Sequence, residues 1–344
     1  MSRRPVLLSA IVVNFRRPEL LRTCLRSLET SLERLEAETE LVVVDNGSAD
    51  GSTELVRAEF PGATVVALAR NRGFGGGVNA GLERSSGEFV LLLNNDATVE
   101  PEAVGELLRV AEAAQDVAAV AAQMRFADRP QTINSAGIGV DRLGVVYDRL
   151  VGAPASASER APAEVFGASG GAALWRRAAL ESVGRFDEPF FVYLEDADVA
   201  WRARMRGWHA LYAPGAVVYH HHSATATHAS DFKYFWVGRN RIRLLARNAD
   251  ARHLLRQAPA LLAYDLAYIA YAAARDRTLA PLRGRLRGVS EWRSARRSGA
   301  AGRRPVELAP RRGLGAALRR RRAWGAGEPA APGPAAEPES RACA

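Results

Sequence analysis

The apolar positions in the first hundred residues follow two alternating periods. Continuous apolar runs, typical of buried parallel strands, occupy residues 6–13, 40–44, 64–68 and 88–93. Apolar residues recur at helical spacing in residues 17–35, 52–59 and 78–84, and a glycine-rich turn is expected at 71–77. Pro101 then begins another helix, at the first-turn position that proline favours. This succession predicts an α/β fold, a Rossmann-like and mostly parallel sheet flanked by helices.

The later pattern is less regular. Residues 125–165 are rich in glycine and proline and indicate strands with loops. We expect ordered structure at residues 166–177 and 183–193, then a helix at 196–206 and a strand at 216–219. Helical spacing continues from 232 to about 297, after which Pro, Gly, Ala and Arg predict disorder. We therefore predict a catalytic domain at 1–246, a basic helical extension at 247–298 and a disordered tail at 299–344.

Charge is unevenly distributed along the 344 residues. The net charge is +9, but residues 247–344 alone carry 20 basic and 8 acidic side chains. This asymmetry indicates an anionic partner for the C-terminal end. The two cysteines, Cys24 and Cys343, stand near opposite ends of the chain, so a disulfide framework is not expected. The apolar run near the N-terminus lacks a cleavage site, and we interpret it as a strand and not a signal peptide.

Polar residues follow several of the predicted strands. Asn14, Asp45 and Asp96 each stand where an apolar run ends. Ligands of open α/β sheets bind outside the carboxyl ends of the strands, which makes this edge the predicted site. In the triplet of residues 94–96, the lone carboxylate could hold a divalent cation against a diphosphate. It could equally be part of the cap of the helix that begins near Pro101.

A second acidic cluster comprises Glu195, Asp196 and Asp198, directly after an aromatic stretch. Three acids in four residues repel one another, and the aromatic approach desolvates them, which raises a carboxyl pKa towards the range of a general base. The alternative is simple capping of a helix N-terminus.

A third polar cluster consists of three histidines, residues 220–222, that end the strand predicted at 216–219. They are candidate metal ligands, although histidine runs also occur on protein surfaces. The glycine-rich segment at 71–77 permits close backbone approach to a ligand. It fits neither a Walker loop nor a dinucleotide fingerprint.

Taken together, these segments resemble the family 2 glycosyltransferases of the GT-A fold, and the nearest likeness is to the bacterial rhamnosyltransferase-like branch. The resemblance covers roughly residues 6–245. It is carried by eight stretches in family order: VVNFRRPELLRTCLRSL, VVVDNGSADGS, NRGFGGGVNAGL, LLLNNDA, FGASGGAALWRR, GRFDEPFFVYLEDADVAWRARMRGW, VVYHHHSAT and GRNRIRLL. One departure is that Asn94-Asn95-Asp96 stands where the family often has Asp-x-Asp, which leaves one carboxylate fewer.

The resemblance implies an inverting transfer of a sugar, with rhamnose as a candidate, from a dTDP- or UDP-sugar to an acceptor hydroxyl. Asp196 would be the catalytic base. Asp96 and His220 would hold Mg²⁺ or Mn²⁺, with His222 as the alternative to His220. The donor nucleotide would lie against Asn14, Asp45, Asn71, Gly75 and Asn94. The sugars would contact Gly170, Gly171, Glu195 and Asp198, or the two acids would orient neighbouring groups.

The C-terminal region predicts a membrane-surface role. An apolar stretch at 259–274, with Leu261, Leu262, Leu266 and Ile269 as inserting residues, precedes a run of arginines. We expect an enzyme of cell-wall or surface-polysaccharide synthesis with a glycan or lipid-linked acceptor, peripheral at the inner face of the cell membrane. The alternative is a basic helical pair packed on the catalytic domain. Nucleic acid is not an expected partner, because the arginines lack a recognisable binding module.

Two other functions remain open. A nucleotidyltransferase also uses a strand-end carboxylate and a metal, but it would usually carry a glycine-rich phosphate loop after the first strand. A nucleotide-sugar-binding module without catalysis is allowed by Asn94 at the metal motif.

Overall fold

In a computed structural model, residues 5–221, 230–299, 305–312 and 315 are described. The helices are α1 (Pro18–Leu32), α2 (Ser52–Glu59), α3 (Gly73–Leu82), α4 (Ala103–Glu112), α5 (Arg177–Val183), α6 (Glu195–Met205), α7 (Asp231–Asn248), α8 (Ala251–Asp276), α9 (Ala280–Ser290) and α10 (Trp292–Ser298). The strands are β1 (Leu8–Asn14), β2 (Thr39–Asp45), β3 (Thr64–Ala67), β4 (Phe89–Asn94), β5 (Ala97–Val99), β6 (Val117–Phe126), β7 (Arg129–Ser135), β8 (Ile138–Val140), β9 (Val146–Asp148), β10 (Ala163–Val165), β11 (Ala172–Arg176) and β12 (His209–His220).

The first four strands form the predicted parallel sheet. Their order is β3-β2-β1-β4, with β1 between β2 and β4. The register pairs Asn14 with Asp45, and Val13 with Asn94, so the polar residues at these strand ends stand side by side. Two apolar layers, one on each face, pack the sheet against the helices. The predicted α/β class is therefore confirmed.

The second half of the sheet is mixed. β11 lies antiparallel between β4 and β6, and β12 runs parallel to β6. The antiparallel β5 pairs with the last residues of β12, which places His220 opposite Ala97. Because of this pairing, the end of β12 that contains His220 lies at the sheet edge where β4 also ends.

Two local expectations differ from the structure. The glycine-rich segment is not a turn before a helix, because α3 already begins at Gly73. Close packing of α3 on β1 explains why the segment is rich in glycine. A Cβ on Gly77 would lie 2.6 Å from a side-chain atom of Val13, and a Cβ on Gly81 would lie 2.6 Å from one of Ile11. Residues 183–193 are not a regular element either, and hold only a 3₁₀ turn at Glu188–Phe190. The rest of that segment is an irregular loop.

Helices α7 to α10 follow the sheet. α7 packs against α9, α10 and α6. Residues 305–312 depart from the disorder expected of the tail, since the backbone of Ala309 hydrogen bonds with Val140 and Arg142 and Leu308 is buried. Cys343 lies outside the described residues. Among the helices that the structure describes, none combines the length and apolar character needed to cross a bilayer.

Candidate active site

Asp45 ends β2 and is held by several hydrogen bonds at the edge predicted to bind the nucleoside. Ser48 donates its backbone N–H to Asp45 Oδ2 at 3.4 Å, and the Thr53 hydroxyl donates to the same oxygen at 3.2 Å. Asn14 donates from Nδ2 to Asp45 Oδ1 and to Ser48 Oγ, at 3.4 and 3.2 Å. Asp45 is still 8% exposed, whereas Asn14 is 0% exposed. Asn14 therefore orients Asp45, and its own contact with nucleotide stays a prediction.

The segment that leads into α3 borders this pocket. Asn71 accepts the backbone N–H of Gly73 at 2.8 Å and remains half-buried, so it can still meet a ligand. Gly75 is buried, and its Cβ direction points at Phe186 Cβ, 3.2 Å away, so packing requires a small residue there. Its contact with nucleotide stays a prediction.

The predicted metal ligands Asp96 and His220 lie together. His220 Nε2 is 3.1 Å from Asp96 Oδ1, and the backbone N–H of His221 donates to the Asp96 carbonyl at 2.9 Å. Asn94 Nδ2 is 3.3 Å from the same imidazole nitrogen. Burial alone would raise the pKa of Asp96, but the His220 imidazole outweighs it and the pKa is lowered.

The surroundings of His220 fit a cation. Its Nδ1 is 3.1 Å from Asn134 Oδ1, and this contact is a hydrogen bond in the tautomer that carries the ring proton on Nδ1. In that tautomer the Nε2 lone pair faces the Asp96 carboxylate 3.1 Å away, and the two could ligate one ion. Imidazole nitrogen and carboxylate oxygen are both ordinary ligands. No group of three or more His, Cys, Asp or Glu side chains suited to a metal ion occurs among the described residues. The protein would thus supply two ligands. His222, the alternative, lies outside the described residues.

Asp196, the predicted base, opens α6. Its Oδ2 accepts the backbone N–H of Gly170 at 3.1 Å, and its Oδ1 accepts its neighbour's N–H, that of Ala197, at 2.7 Å. The residue is half-buried, and burial raises its pKa to about 6. A carboxylate of this kind is ionised at neutral pH and more basic than an exposed aspartate, as proton abstraction requires.

A short chain of contacts joins Asp196 to the metal ligands. Asp196 accepts from Gly170, and the carbonyl of the next residue, Gly171, accepts the backbone N–H of Asn94 at 3.0 Å. Asn94 contacts His220, which contacts Asp96. Asp196 and the Asp96–His220 pair therefore lie on one wall, formed by the end of β4 and the residues just before β11.

Side-chain packing behind that wall requires a small residue at Gly170 and at Gly171. A Cβ on Gly170 would lie 2.9 Å from Phe74 Cε1, and one on Gly171 would lie 2.7 Å from Met124 Cε. The Cβ directions of both glycines thus face protein side chains, and their role as a backbone surface for a sugar stays a prediction.

The other two acids of the cluster differ sharply from Asp196. Asp198 is 0% exposed and receives Arg202 Nε at 2.8 Å, Arg247 Nε at 2.9 Å and Asn248 Nδ2 at 2.8 Å. Burial would raise the pKa of Asp198, but the two arginines prevail and lower it. The prediction that Asp198 binds sugar is wrong, because the carboxylate is enclosed by protein; it fixes α6 against α7.

Glu195 is the third member of the cluster. It is 6% exposed, and its Oε2 has no hydrogen-bond partner. Burial, together with the charge of Asp196, raises its pKa well above the ordinary value. Its burial leaves little surface for the sugar contact that was predicted.

The loop before α6 has a strained backbone. Phe191 has φ 62° and ψ −64°, and Val192 donates to the Phe190 carbonyl at 2.7 Å, which makes a γ-turn of the rare strained type. Tyr193 and Leu194 also have positive φ, 68° and 69°. Such conformations persist only where the surroundings impose them, and they concentrate at functional sites.

Asn240, on α7, imposes this conformation. Its Nδ2 lies 2.8 Å from the carbonyl oxygens of Phe190, Val192 and Tyr193, and the residue is 0% exposed. Its neighbour Arg239 donates to the Pro189 carbonyl at 2.6 Å. Asn240 and the His220 partner Asn134 were not found from the sequence. Asn240 stands in the stretch GRNRIRLL, whereas nothing near Asn134 signalled a role.

The comparisons with known proteins agree with this geometry. Residues 9–184, more than half of the chain, match the model of glycosyl transferase family 2. The N-acetylglucosaminyl-diphospho-decaprenol L-rhamnosyltransferase of Mycobacterium tuberculosis is 31% identical over 221 residues, which cover 56% of this chain and 71% of that protein. The undecaprenyl-phosphate 4-deoxy-4-formamido-L-arabinose transferase of Serratia proteamaculans is 32% identical over 113 residues, 32% of this chain and 35% of that protein.

Solved structures show the same fold. The mannosyltransferase PcManGT from Pyrobaculum calidifontis, in complex with GDP-Man and Mn²⁺, has a TM-score of 0.53 at 20% identity, over 86% of this chain and 84% of that one. GalNAc-T7 with UDP, GalNAc and Mn²⁺ has a TM-score of 0.59 at 14% identity, over 87% of this chain and 56% of that one. The predicted GT-A architecture is thereby confirmed, and the nucleotidyltransferase alternative is set aside. The chain belongs to glycosyl transferase family 2 and is a glycosyltransferase.

Proposed function

We propose that this glycosyltransferase transfers a sugar, rhamnose as first choice, from a dTDP- or UDP-sugar to a hydroxyl of a lipid-linked glycan, with inversion and with a divalent cation. The proposal is carried by one observation: Asp196 and the Asp96–His220 pair both lie on the common wall described above. The rhamnosyltransferase relative supports the sugar and the lipid-linked acceptor, since its name states both.

Asp196 has the geometry of the base. Each of its oxygens accepts one backbone N–H, which orients the carboxylate and leaves lone pairs for an acceptor hydroxyl. In the proposed step the hydroxyl proton passes to Asp196 while the hydroxyl oxygen bonds to the anomeric carbon. The bond from that carbon to the diphosphate oxygen breaks on the opposite face, and the nucleoside diphosphate leaves. Attack from the side opposite the leaving group inverts the anomeric configuration.

Asp96 and His220 would hold Mg²⁺ or Mn²⁺ at the diphosphate. When bound there, the ion offsets the negative charge that grows on the leaving group. Two protein ligands are enough, because Mg²⁺ is commonly held by one or two carboxylates together with substrate phosphates and water. Asn94 and Asn134 orient His220, and partners of this kind tune metal sites.

Asp45 and Asn71 would bind the nucleoside. Asp45 is fixed by Asn14, Ser48 and Thr53, so its carboxylate is ready to accept a hydrogen bond from base or ribose without reorganisation. We place the enzyme at the inner face of the cell membrane, as a peripheral protein of cell-wall or surface-polysaccharide synthesis, because a lipid-linked acceptor is confined to a membrane.

A donor screen tests the proposal. The purified chain is incubated with dTDP-rhamnose and with UDP- and GDP-sugars, Mg²⁺ or Mn²⁺, and a short-chain polyprenyl-diphosphate-linked N-acetylglucosamine. We expect release of nucleoside diphosphate and a glycosylated lipid, both abolished by EDTA. Nucleotide binding without release from any donor would instead support a binding module. Turnover that survives EDTA would remove the metal from the proposal.

A further inference from the structure

Helix α8 carries an apolar face that nothing in the described protein covers. Of its 26 residues only Ala272 is fully buried. Leu255, Leu262 and Leu266 are 76%, 62% and 58% exposed. Their spacing of seven and four residues puts them on one side of the helix. The other exposed residues of this face are small and apolar, apart from two arginines: Ala251, Arg252, Arg256, Ala258, Pro259, Ala263, Ala267, Ala270 and Ala274.

The opposite face of α8 is held against the protein, which fixes the direction of the apolar face. Asp265 receives Arg241 Nη1 at 2.7 Å and Arg285 Nε at 2.6 Å. Leu261 packs into the core cluster beneath α7. The expectation that Leu261 inserts into lipid is therefore corrected, while Leu262 and Leu266 remain on the free face. Ile269 is only half-exposed.

The exposed charges of the segment that carries this face all have one sign. In residues 250–298, which the structure describes completely, every exposed charged side chain is an arginine. The four acids of the segment are each partly buried: Asp250 caps α8, Asp265 binds two arginines, Asp276 accepts the Tyr234 hydroxyl at 2.6 Å, and Glu291 binds Arg239 at 2.6 Å. Within residues 250–298 no carboxylate is exposed and the surface is electropositive, while the exposed Glu307 lies beside Arg252 and Arg256.

We propose that the outward face of α8 binds an anionic lipid bilayer and lies in the plane of its surface. The leucines enter the boundary between headgroups and acyl chains, and exposed arginines at the two ends of the helix meet lipid phosphates. The exposed arginines concerned are Arg252, Arg256, Arg275 and Arg277. The positive surface charge favours an anionic membrane, and not a second copy of the chain, as the binding partner. Two copies that met through this face would bring like charges together.

This surface deepens the proposed function without depending on its chemistry. α8 follows directly after α7, whose Asn240 holds the loop that precedes the base. Docking by α8 therefore fixes the catalytic domain relative to the bilayer that carries a lipid-linked acceptor. The sugar-transfer step could be misassigned and α8 could still bind lipid, so the two ideas are tested separately.

Flotation of the full chain with vesicles tests the surface. We expect binding to vesicles of phosphatidylglycerol and phosphatidylcholine, and weaker binding to phosphatidylcholine alone. Binding should weaken at 1 M salt, where the Debye length is about 3 Å, but persist through the leucines. The double substitution Leu262→Ser and Leu266→Ser should weaken binding at least tenfold. Both side chains are exposed, so the melting temperature and nucleotide affinity should not change.

Arginine variants provide the matched control. Replacing Arg252 and Arg256 by Gln should weaken binding to anionic vesicles, whereas Arg57→Gln, an exposed arginine on α2, should not. Failure of the full chain to float at low salt would overturn the proposal. So would full binding by the leucine variant. A lipid-free dimer that the leucine substitutions dissociate would identify a second copy as the occupant and also overturn it.

Discussion

Substitution of Asn240 by alanine should damage catalysis more than it damages nucleotide binding. The Asn240 amide nitrogen lies within hydrogen-bonding distance of three carbonyl oxygens of the strained loop at residues 190–193. One of them belongs to Phe190, which is 0% exposed. An unsatisfied buried polar group costs about 1–3 kcal/mol. Because Val192 and Tyr193 are half-buried and water can reach them in part, we expect a loss of about 2–4 kcal/mol in the free energy of unfolding.

The effect on turnover follows from the position of the loop. Its strained residues, with φ of 62°, 68° and 69°, lead directly into Glu195 and Asp196. Relaxation of the loop would move the base, and a displacement of about 1 Å can lower a rate about a hundredfold. We therefore expect kcat to fall about a hundredfold, with nucleoside-diphosphate affinity changed by less than about threefold, because Asp45 and Asp96 keep their own partners.

Asn248→Ala is the matched control. Asn248 is also a buried asparagine of α7, 1% exposed, but it donates to Asp198 and not to the loop. It should lose comparable stability and keep most of its turnover per folded molecule. Stability is measured by urea unfolding, turnover by nucleoside-diphosphate release, and affinity by calorimetry. Equal turnover by the two folded variants would refute the claim that Asn240 positions the base.

Three further predictions concern the pocket itself. Because burial raises the pKa of Asp196 to about 6 and the base must be ionised, kcat should fall about tenfold per pH unit below pH 6; a flat profile down to pH 4.5 would contradict this. Asp96→Ala should abolish the tightening of nucleoside-diphosphate binding by Mn²⁺, and His220→Ala should weaken it, as titration calorimetry with and without the ion would show. Gly73→Ala should prevent folding or misplace the loop, since its φ is 75° and a Cβ would lie 2.1 Å from the Phe191 carbonyl oxygen; an unchanged melting temperature and kcat would contradict the packing argument.

The strand ends were predictable because the signals are local. Apolar runs marked β1, β2 and β4, and the residues directly after each run had to meet at one edge once the strands were parallel. This is why Asp45 and Asp96 could be named in advance. The contact between Asp96 and His220 could not be predicted from local signals, since it depends on the pairing of β5 with the distant strand β12.

The roles within the acidic cluster were not predictable from spacing. Asp196 and Asp198 are two residues apart, yet only Asp198 meets Arg247 and Asn248, about fifty residues later in the chain. Nothing local distinguishes an acid that α7 will enclose from one that will face the pocket. The packing role of three glycines was not predictable for the same reason. Gly75 makes room for Phe186, Gly170 for Phe74 and Gly171 for Met124, and each pair is distant in sequence.

The measurement that tests the central claim most directly compares Asp196→Asn with the unaltered enzyme in a single turnover. Asparagine keeps the size of the side chain and an oxygen for the Gly170 N–H, but it cannot take up the acceptor proton. We predict that nucleoside-diphosphate affinity stays within about threefold while sugar transfer falls by about 10²–10⁴-fold, the usual contribution of general base catalysis. Transfer by Asp196→Asn at a rate close to that of the unaltered enzyme would contradict the account.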